Sequence, residues 1–489
     1  MSQTVPITRD ISSMVVRILL GPWRALRWFC RGLYRRRRAL LYVVIVLVVI
    51  HLTATAITGV MLRNEIARLK SAGYLLTKDQ LIPHVPPGEK NAADIYQKAF
   101  DARRIAREDE EQLLGLPLAK WTPDTTTAAR RVVPANSKYY KLIAEAARTP
   151  NCAFPVDWNA GPAEQTFPHL ARLRDVARML QMHAALSVVD GRMDDALADA
   201  GTMLRIAEHA KQEPVLIGQL VAYAVQGIAV MSLRGALSLG DPSPAAAGAL
   251  MTQIAAIDEV PPSVRSMKGE IAFCGLPFFD LARRPGNKDI MSLMSLLAGG
   301  QEAPAAAGQM AALRTYSTVG RPFLNLDELA YLRSMAAELD AFSLPWPESD
   351  RALKSLRERQ EALSLYRSLL TKMIMPVFER AVWSREKTAA NLGDAQIALA
   401  LCIYKSEHGA YPDSLATLEA AGFKLPKDPF GGQPLRYRRE GAGFIVYSIG
   451  SDMKDDGGLP PEWDVGKQLS EKESKYRREH YDLPFTRPR

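Results

Sequence analysis

Residues 39–61 form an uninterrupted apolar stretch, which constrains the fold of this chain more than any other feature. The stretch contains no Asp, Glu, Lys or Arg over 23 residues, and Val, Ile and Leu dominate its first half. A helix rises about 1.5 Å per residue, so a helix of this length crosses a hydrocarbon core of about 30 Å. The sequence therefore predicts a transmembrane anchor at 39–61.

The segment before this span carries most of the net charge. Residues 1–38 hold nine Arg and a single acid, Asp10, whereas the whole chain has a formal charge of +9. Arginines at 35–38 abut the span, so the positive-inside rule places residues 1–38 in the cytoplasm and the rest of the chain outside. We therefore expect a single-pass protein of the cell inner membrane, with most of the chain in the periplasm. A nucleic-acid partner is not expected, because the basic charge is not spread over the folded part.

The basic arm at 1–38 also contains aromatic residues. Trp23, Trp28 and Phe29 lie among arginines within 11–34. Such a segment suits the headgroup layer of an anionic leaflet, which favours an interfacial helix over the alternative, a disordered arm. The expected partners of the arm are the lipid bilayer and its anionic headgroups.

Two alternatives to this topology stay open. The sequence Ala54-Thr55-Ala56 has the form of a signal-peptidase site, although the n-region before the span would be unusually long. Residues 214–233 carry no charge and could be a second span. Gln219 and Gln226 dilute their hydrophobicity, so a buried helix of a soluble bundle is favoured.

Residues 62–385 are expected to form a helical ectodomain. Apolar residues at 170, 173, 176, 177 and 180 follow helical spacing, and Asp190-Gly191 marks a turn before a second helix to about residue 211. One tetratricopeptide-type hairpin would look similar. No second copy follows at a period of about 34 residues, which favours an ordinary antiparallel helix pair.

The most specific pattern lies at 401–458. A helix expected over 386–407 leads to Gly409-Ala410-Tyr411-Pro412 and then to the turn Asp428-Pro429-Phe430-Gly431. Residues 435–438 and 444–448 predict two strands, and Leu435, Tyr437, Phe444 and Val446 fall on alternating positions, as a one-sided antiparallel hairpin requires. This order of elements resembles the globular end of the major pseudopilin, protein G, of type II secretion systems. The proline-rich entry at 82–93 resembles that of membrane-anchored bacterial proteins with such a tail.

The resemblance implies a small α+β domain at 386–460 and a calcium site in the loop after the hairpin. In that family the loop binds calcium through carboxylates and backbone carbonyls, and Asp452, Asp455 and Asp456 match its acidic residues. Oxygen ligands of this kind suit Ca²⁺. The spacer between Asp452 and the acidic pair is only Met453-Lys454, shorter than in the family, and the alternative is a solvated acidic turn.

The same segment departs from a pilin in two ways. The helix at 386–407 lacks an apolar N-terminal extension. No prepilin peptidase signature precedes it, which would be a Gly followed by a long apolar run with Glu at its fifth position. Polymerisation into a pilus is therefore not expected.

Catalytic motifs are missing from the sequence. It contains no H-E-x-x-H, C-x-x-C, G-x-S-x-G or phosphate-binding loop. We expect His169, His183 and His209 to be polar positions of bundle helices rather than ligands or catalysts. The cysteines are too few for a disulfide scaffold; Cys402 is expected in the core, and a bridge between Cys152 and Cys274 stays open.

The predicted fold is thus mainly α: a cytoplasmic arm at 1–38, an anchor at 39–61, the helical ectodomain, the pseudopilin-like domain and a disordered polar tail at 461–489. The favoured function is non-enzymatic, as a scaffold or accessory contact of a type II secretion or pilus-like system. One alternative is an independent envelope protein that reuses the pseudopilin fold as a structural module. The remaining alternative is an unrecognised envelope enzyme.

Overall fold

The computed structural model describes residues 37–161, 164–284, 320–362, 365–375, 378–460 and 483–487. It confirms a mainly helical chain with a small antiparallel sheet near the C-terminus. The interfacial helix expected within 11–34, residues 285–319 and most of the tail at 461–489 lie outside these ranges.

The helices of the first half of the chain begin with the long apolar one. They are α1 Arg37–Ser71, α2 Lys78–Leu81, α3 Ala92–Ala102, α4 Arg107–Leu113, α5 Pro123–Ala135, α6 Ser137–Arg148, α7 Pro168–Val189, α8 Met193–Ala210 and α9 Leu216–Leu239.

The second half adds further helices and the sheet. The helices are α10 Pro244–Ala255, α11 Val260–Gly269, α12 Leu276–Ala282, α13 Arg321–Phe342, α14 Glu348–Ala362, α15 Leu365–Ile374, α16 Phe378–His408 and α17 Leu415–Ala420. A π-helical turn at Glu270–Gly275 joins α11 to α12. The strands are β1 Arg436–Glu440, β2 Gly443–Ser448 and β3 Leu483–Arg487.

Local capping explains where several helices begin. The Asn91 side chain accepts a hydrogen bond from Ala93 N at 3.1 Å and opens α3 after the proline-rich entry. Thr122 and Thr125 form a reciprocal capping box at the start of α5, a helix that the mixed sequence of 107–165 did not predict. Ser243 caps α10, as its position before Pro244 predicts.

Among the described residues, two helices, α1 and α9, are long and apolar enough to cross a membrane, but they differ in burial. The most apolar window of α1 is 0% buried, whereas that of α9 is 61% buried. Helix α9 packs against α7, α8 and α16 in the centre of the bundle. This burial is what the bundle interpretation of residues 214–233 requires, since a membrane span would expose an apolar surface on most sides.

Helix α16 connects the helical bundle to the sheet. It contacts α9 and α10 on one side and strands β2 and β3 on the other. One hydrophobic core therefore includes residues from α3 through α10 together with Phe444, Val446 and Phe485 of the sheet. The domain boundary expected at 385/386 falls inside this continuous helix.

The hairpin prediction is confirmed, with two differences. Strand β2 is the central strand, paired with β1 and β3, and all six of its residues are buried, so the sheet is not one-sided at β2. The expectation of a disordered tail is wrong for Leu483–Arg487, which pairs antiparallel with β2 as strand β3. The partners of β3 lie about 40 positions earlier in the chain, beyond the reach of a local pattern.

Candidate functional site

The loop after β2, residues 450–458, folds back over the sheet. Arg438 on β1 donates a hydrogen bond from Nη1 to the carbonyl of Gly457 at 2.8 Å. The next residue, Gly458, has a φ of +79°, and a Cβ there would lie 2.4 Å from Cδ1 of Ile445. Only glycine fits this approach. The loop therefore covers the face of β2 that the alternating pattern predicted to be exposed.

Asp455 of this loop is held by the sheet. Its Oδ1 accepts hydrogen bonds from the Tyr447 hydroxyl at 2.9 Å and from Gly457 N at 3.1 Å. Its Oδ2 lies 3.2 Å from Nε of Arg436. Both carboxylate oxygens thus already have donors, and one of the donors is a cation.

The other two predicted ligands do not join Asp455. Asp452 Oδ1 accepts a hydrogen bond from Lys454 N at 3.1 Å, a local turn contact. Asp456 has one buried oxygen without a hydrogen-bond partner among the described residues. Within the described ranges, no three His, Cys, Asp or Glu side chains are grouped closely enough to hold a metal ion. Calcium binding at Asp452, Asp455 and Asp456 stays a prediction.

The turn before β1 is organised by a different carboxylate, Asp428. Its Oδ1 accepts from Phe430 N at 3.0 Å and from the Ser448 hydroxyl at 2.8 Å, and its Oδ2 accepts from Ile449 N at 2.9 Å. Asp428 is 2% exposed. It therefore joins its own turn to the end of β2, the point at which the acidic loop starts.

Asp394 on α16 lies near Asp428 and has no comparable partners. It is 1% exposed, and neither carboxylate oxygen has a hydrogen-bond partner among the described residues. Burial and then the charge of Asp428 raise the pKa of Asp394 well above its usual range, while Arg234 on α9 opposes the shift. Asp394 was not predicted as a site residue, although an acid within the apolar run at 389–403 was a detectable signal.

The three bundle histidines are partnered inside the protein. His169 Nε2 lies 3.0 Å from Glu213 Oε1, and His183 Nδ1 lies 2.6 Å from Asp199 Oδ2. The ring nitrogens of His209 lie 2.9 Å from the Tyr96 hydroxyl and 2.8 Å from the Thr149 carbonyl. Each ring therefore joins neighbouring elements of the bundle.

Burial also shifts the pKa values of His209 and Cys402. Desolvation lowers the pKa of His209 to about 4, so its ring is neutral near pH 7. Burial raises the pKa of the Cys402 thiol to about 11. Cys152, Cys274 and Cys402 are free thiols, so the bridge that stayed open between Cys152 and Cys274 is not formed in this structure, and Cys402 lies in the core as predicted. Such thiols are poor nucleophiles.

A groove of about 450 Å³ runs between α9, α16 and the start of β3. It is lined by apolar side chains such as Leu220 and Met231, and by Arg234, Trp383 and Lys387. None of the described residues that line it is Asp, Glu, His or Cys. The lining of the groove thus supplies cations, apolar surface and the hydroxyl groups of Tyr223, Ser384 and Thr388.

The candidate site thus consists of an acidic loop that packs on a small sheet and of the buried carboxylates Asp394 and Asp428. The histidines of the helical bundle contact neighbouring polar groups inside the protein. No family model, curated protein or solved structure matches this chain.

Proposed function

We propose that this chain is a single-pass, membrane-anchored protein of the bacterial envelope whose folded body lies outside the cytoplasm and acts by binding rather than by catalysis. The anchor is the exposed apolar part of α1, preceded by the arginines of residues 1–38. The burial of α9 supports a single crossing.

The observation that supports a non-enzymatic, structural use of the pseudopilin-like segment is the packing of α16. In pseudopilins the equivalent helix continues into an apolar segment that assembles into the fibre. Here α16 begins at Phe378, and its stretch from 395 to 401 is buried between α9, α10 and the sheet. With these faces covered, the pseudopilin-like segment serves as a structural module of one helical body.

The second candidate function is a contact with a type II secretion or pilus-like machine. Strand β1 is an edge of the sheet, and its residues are exposed or half-buried. An exposed edge strand is a surface on which a partner strand can pair. Arg436, Arg438 and Arg439 on this edge are ion-paired with Asp455, Glu440 and Asp413, so a partner strand would pair through the backbone groups of β1.

Reporter fusions test the topology. Alkaline phosphatase, which is active only outside the cytoplasm, fused after Arg489 should be active, and the same reporter fused after Arg38 should be inactive. An inactive fusion after Arg489, with equal expression, would place the tail in the cytoplasm and identify Leu216–Leu239 as a second span.

Crosslinking in native membranes tests binding. A photoreactive residue in place of Arg438 on the exposed edge should capture a specific partner. The matched control replaces Arg172, a surface residue of α7, and should not capture it. If neither position captures a protein above background, the β1 edge is not a binding surface.

A further inference from the structure

Helices α1 and α13 run parallel and side by side. Three hydrogen bonds join α13 to α1 or to the turn that follows it, and their residues are separated by nearly constant intervals of 267, 268 and 266 positions: Asn325 to Thr58 at 3.2 Å, Arg333 to Glu65 at 3.3 Å, and Tyr74 to Asp340 at 2.6 Å. The constant interval fixes the register, because residues on parallel helices advance at the same rate.

This register sets the level of the first turn of α13 relative to the anchor. Continuing the interval places Arg321 beside about Ala54 and Phe323 beside about Ala56 on α1. That part of α1 lies just before Thr58, the first buried residue of the helix. The first turn of α13 therefore lies beside the outer end of the exposed apolar surface.

The side chains at this level suit a membrane surface. Phe323 is 46% exposed and Arg321 is exposed, although Leu324 and other residues of the same helix are buried in a core. The charge of Arg321 acts on Arg283 at the end of α12, and Arg283 is paired with Glu328. Exposed aromatic and Arg side chains at the end of an apolar span are typical of the headgroup layer.

We propose that the first turn of α13 is a second membrane contact, in which Phe323 enters the interfacial layer of the bilayer and Arg321 meets the headgroup phosphates. This inference rests on the proposed anchor function of α1. It implies that the helical body sits directly on the membrane in a fixed orientation, because two contacts instead of one define its tilt.

The distances agree with this contact. From residue 39, the first after the arginines, to the level of Arg321 there are about 16 residues, or roughly 24 Å of helix. A hydrocarbon core of about 30 Å is somewhat thicker, a difference that bilayer thinning or a snorkelling Arg accommodates. Residues 57–61 of the apolar stretch then lie in the headgroup layer.

Photocrosslinking of the full-length protein tests this contact. The photoreactive residue p-benzoylphenylalanine replaces Phe323 in one variant and Leu344 in a second. Leu344 follows the opposite end of α13 and is similarly exposed, at 40%. In a third variant it replaces Val48, an exposed residue within the apolar span. Each variant is reconstituted into vesicles of phosphatidylethanolamine and phosphatidylglycerol that contain a fluorescent lipid.

We expect positions 323 and 48 to give several-fold more lipid adduct than position 344. If position 48 labels lipid and position 323 labels no more than position 344, the second contact is wrong while the anchor stands. If position 48 also fails, the anchor itself is wrong. Adducts at position 323 with a second copy of the chain, in place of lipid adducts, would assign this surface to an interface between copies and overturn the proposal.

Discussion

Asp394 of α16 is buried near Asp428 of the turn before β1, and the two carboxylates are satisfied to opposite degrees. Asp428 accepts hydrogen bonds from Phe430, Ser448 and Ile449, whereas neither oxygen of Asp394 has a hydrogen-bond partner among the described residues. An ionised carboxylate without hydrogen bonds is unfavourable in a protein interior. Replacing the carboxylate by an amide should therefore have opposite effects on stability at the two positions.

Asp394→Asn should stabilise the protein near neutral pH. The pKa of Asp394 is higher in the folded than in the unfolded state, so the unfolded state releases this proton first as pH rises. The free energy of unfolding is therefore unaffected by Asp394 below the unfolded pKa and falls as pH rises towards the folded pKa. Removing the charge should increase the free energy of unfolding by about 1 kcal/mol or more at pH 8, since each pKa unit corresponds to about 1.4 kcal/mol. Denaturant unfolding at pH 4 and pH 8 measures this, and the gain should be larger at pH 8.

Asp428→Asn is the matched control for that experiment. It leaves an amide where a carboxylate accepted three hydrogen bonds, so it should destabilise the protein by about 1–3 kcal/mol. Equal effects of the two substitutions would contradict the assignment of Asp394 as the unsatisfied member of the pair.

His209 should make the fold less stable in mild acid. Its folded pKa of about 4 lies below the unfolded value of 6.5, so the unfolded state binds the extra proton first as pH falls. The free energy of unfolding should fall by about 3 kcal/mol between pH 7 and pH 4 through this residue. His209→Gln should flatten this slope relative to the wild type, although it lowers stability at pH 7. An unchanged slope would show that the ring is not buried as a neutral group.

Calcium should raise the melting temperature of the full-length protein if the acidic loop binds it. A ligand that binds only the folded state stabilises it by about 2.7 kcal/mol at 100-fold excess over Kd. Asp455→Ala with Asp456→Ala should remove the shift, Asp413→Ala should leave it, and Mg²⁺ should produce less of it.

A second variant, Arg436→Gln, makes the calcium test more sensitive. Arg436 lies 3.2 Å from Asp455 and competes with a metal for the same oxygen, so its removal should increase the calcium-dependent shift. No shift in either the wild type or this variant means that the loop is an ordinary acidic turn.

Processing by prepilin peptidase is not expected, nor is fibre formation through α16. The start of this helix carries Arg385 and Glu386, which pair with each other and are buried where a pilin would have apolar residues. Mass spectrometry of the mature N-terminus should find no cleavage within residues 1–65 that leaves an N-methylated residue. Detection of such a residue would reverse this prediction.

Local sequence patterns were sufficient to predict the elements whose surroundings constrain residues that are consecutive or close in the chain. A helix that crosses a bilayer requires about 20 adjacent apolar residues, so the composition of residues 39–61 is sufficient to predict the apolar part of α1. The turn at 428–431 and the alternation at 435–448 predicted β1 and β2, because a hairpin pairs residues close in the chain.

Tertiary structure alone decided the relationships between distant residues. Strand β3 was hidden in a polar run, since its partners in β2 lie far back in the chain. The same holds for the register of α13 on α1 and for the approach of Asp394 to Asp428. The helix α16 was predicted, but its burial against α9, α10 and the sheet was not. Each of these depends on which apolar faces meet when the chain collapses, and the local pattern records only that a face is apolar.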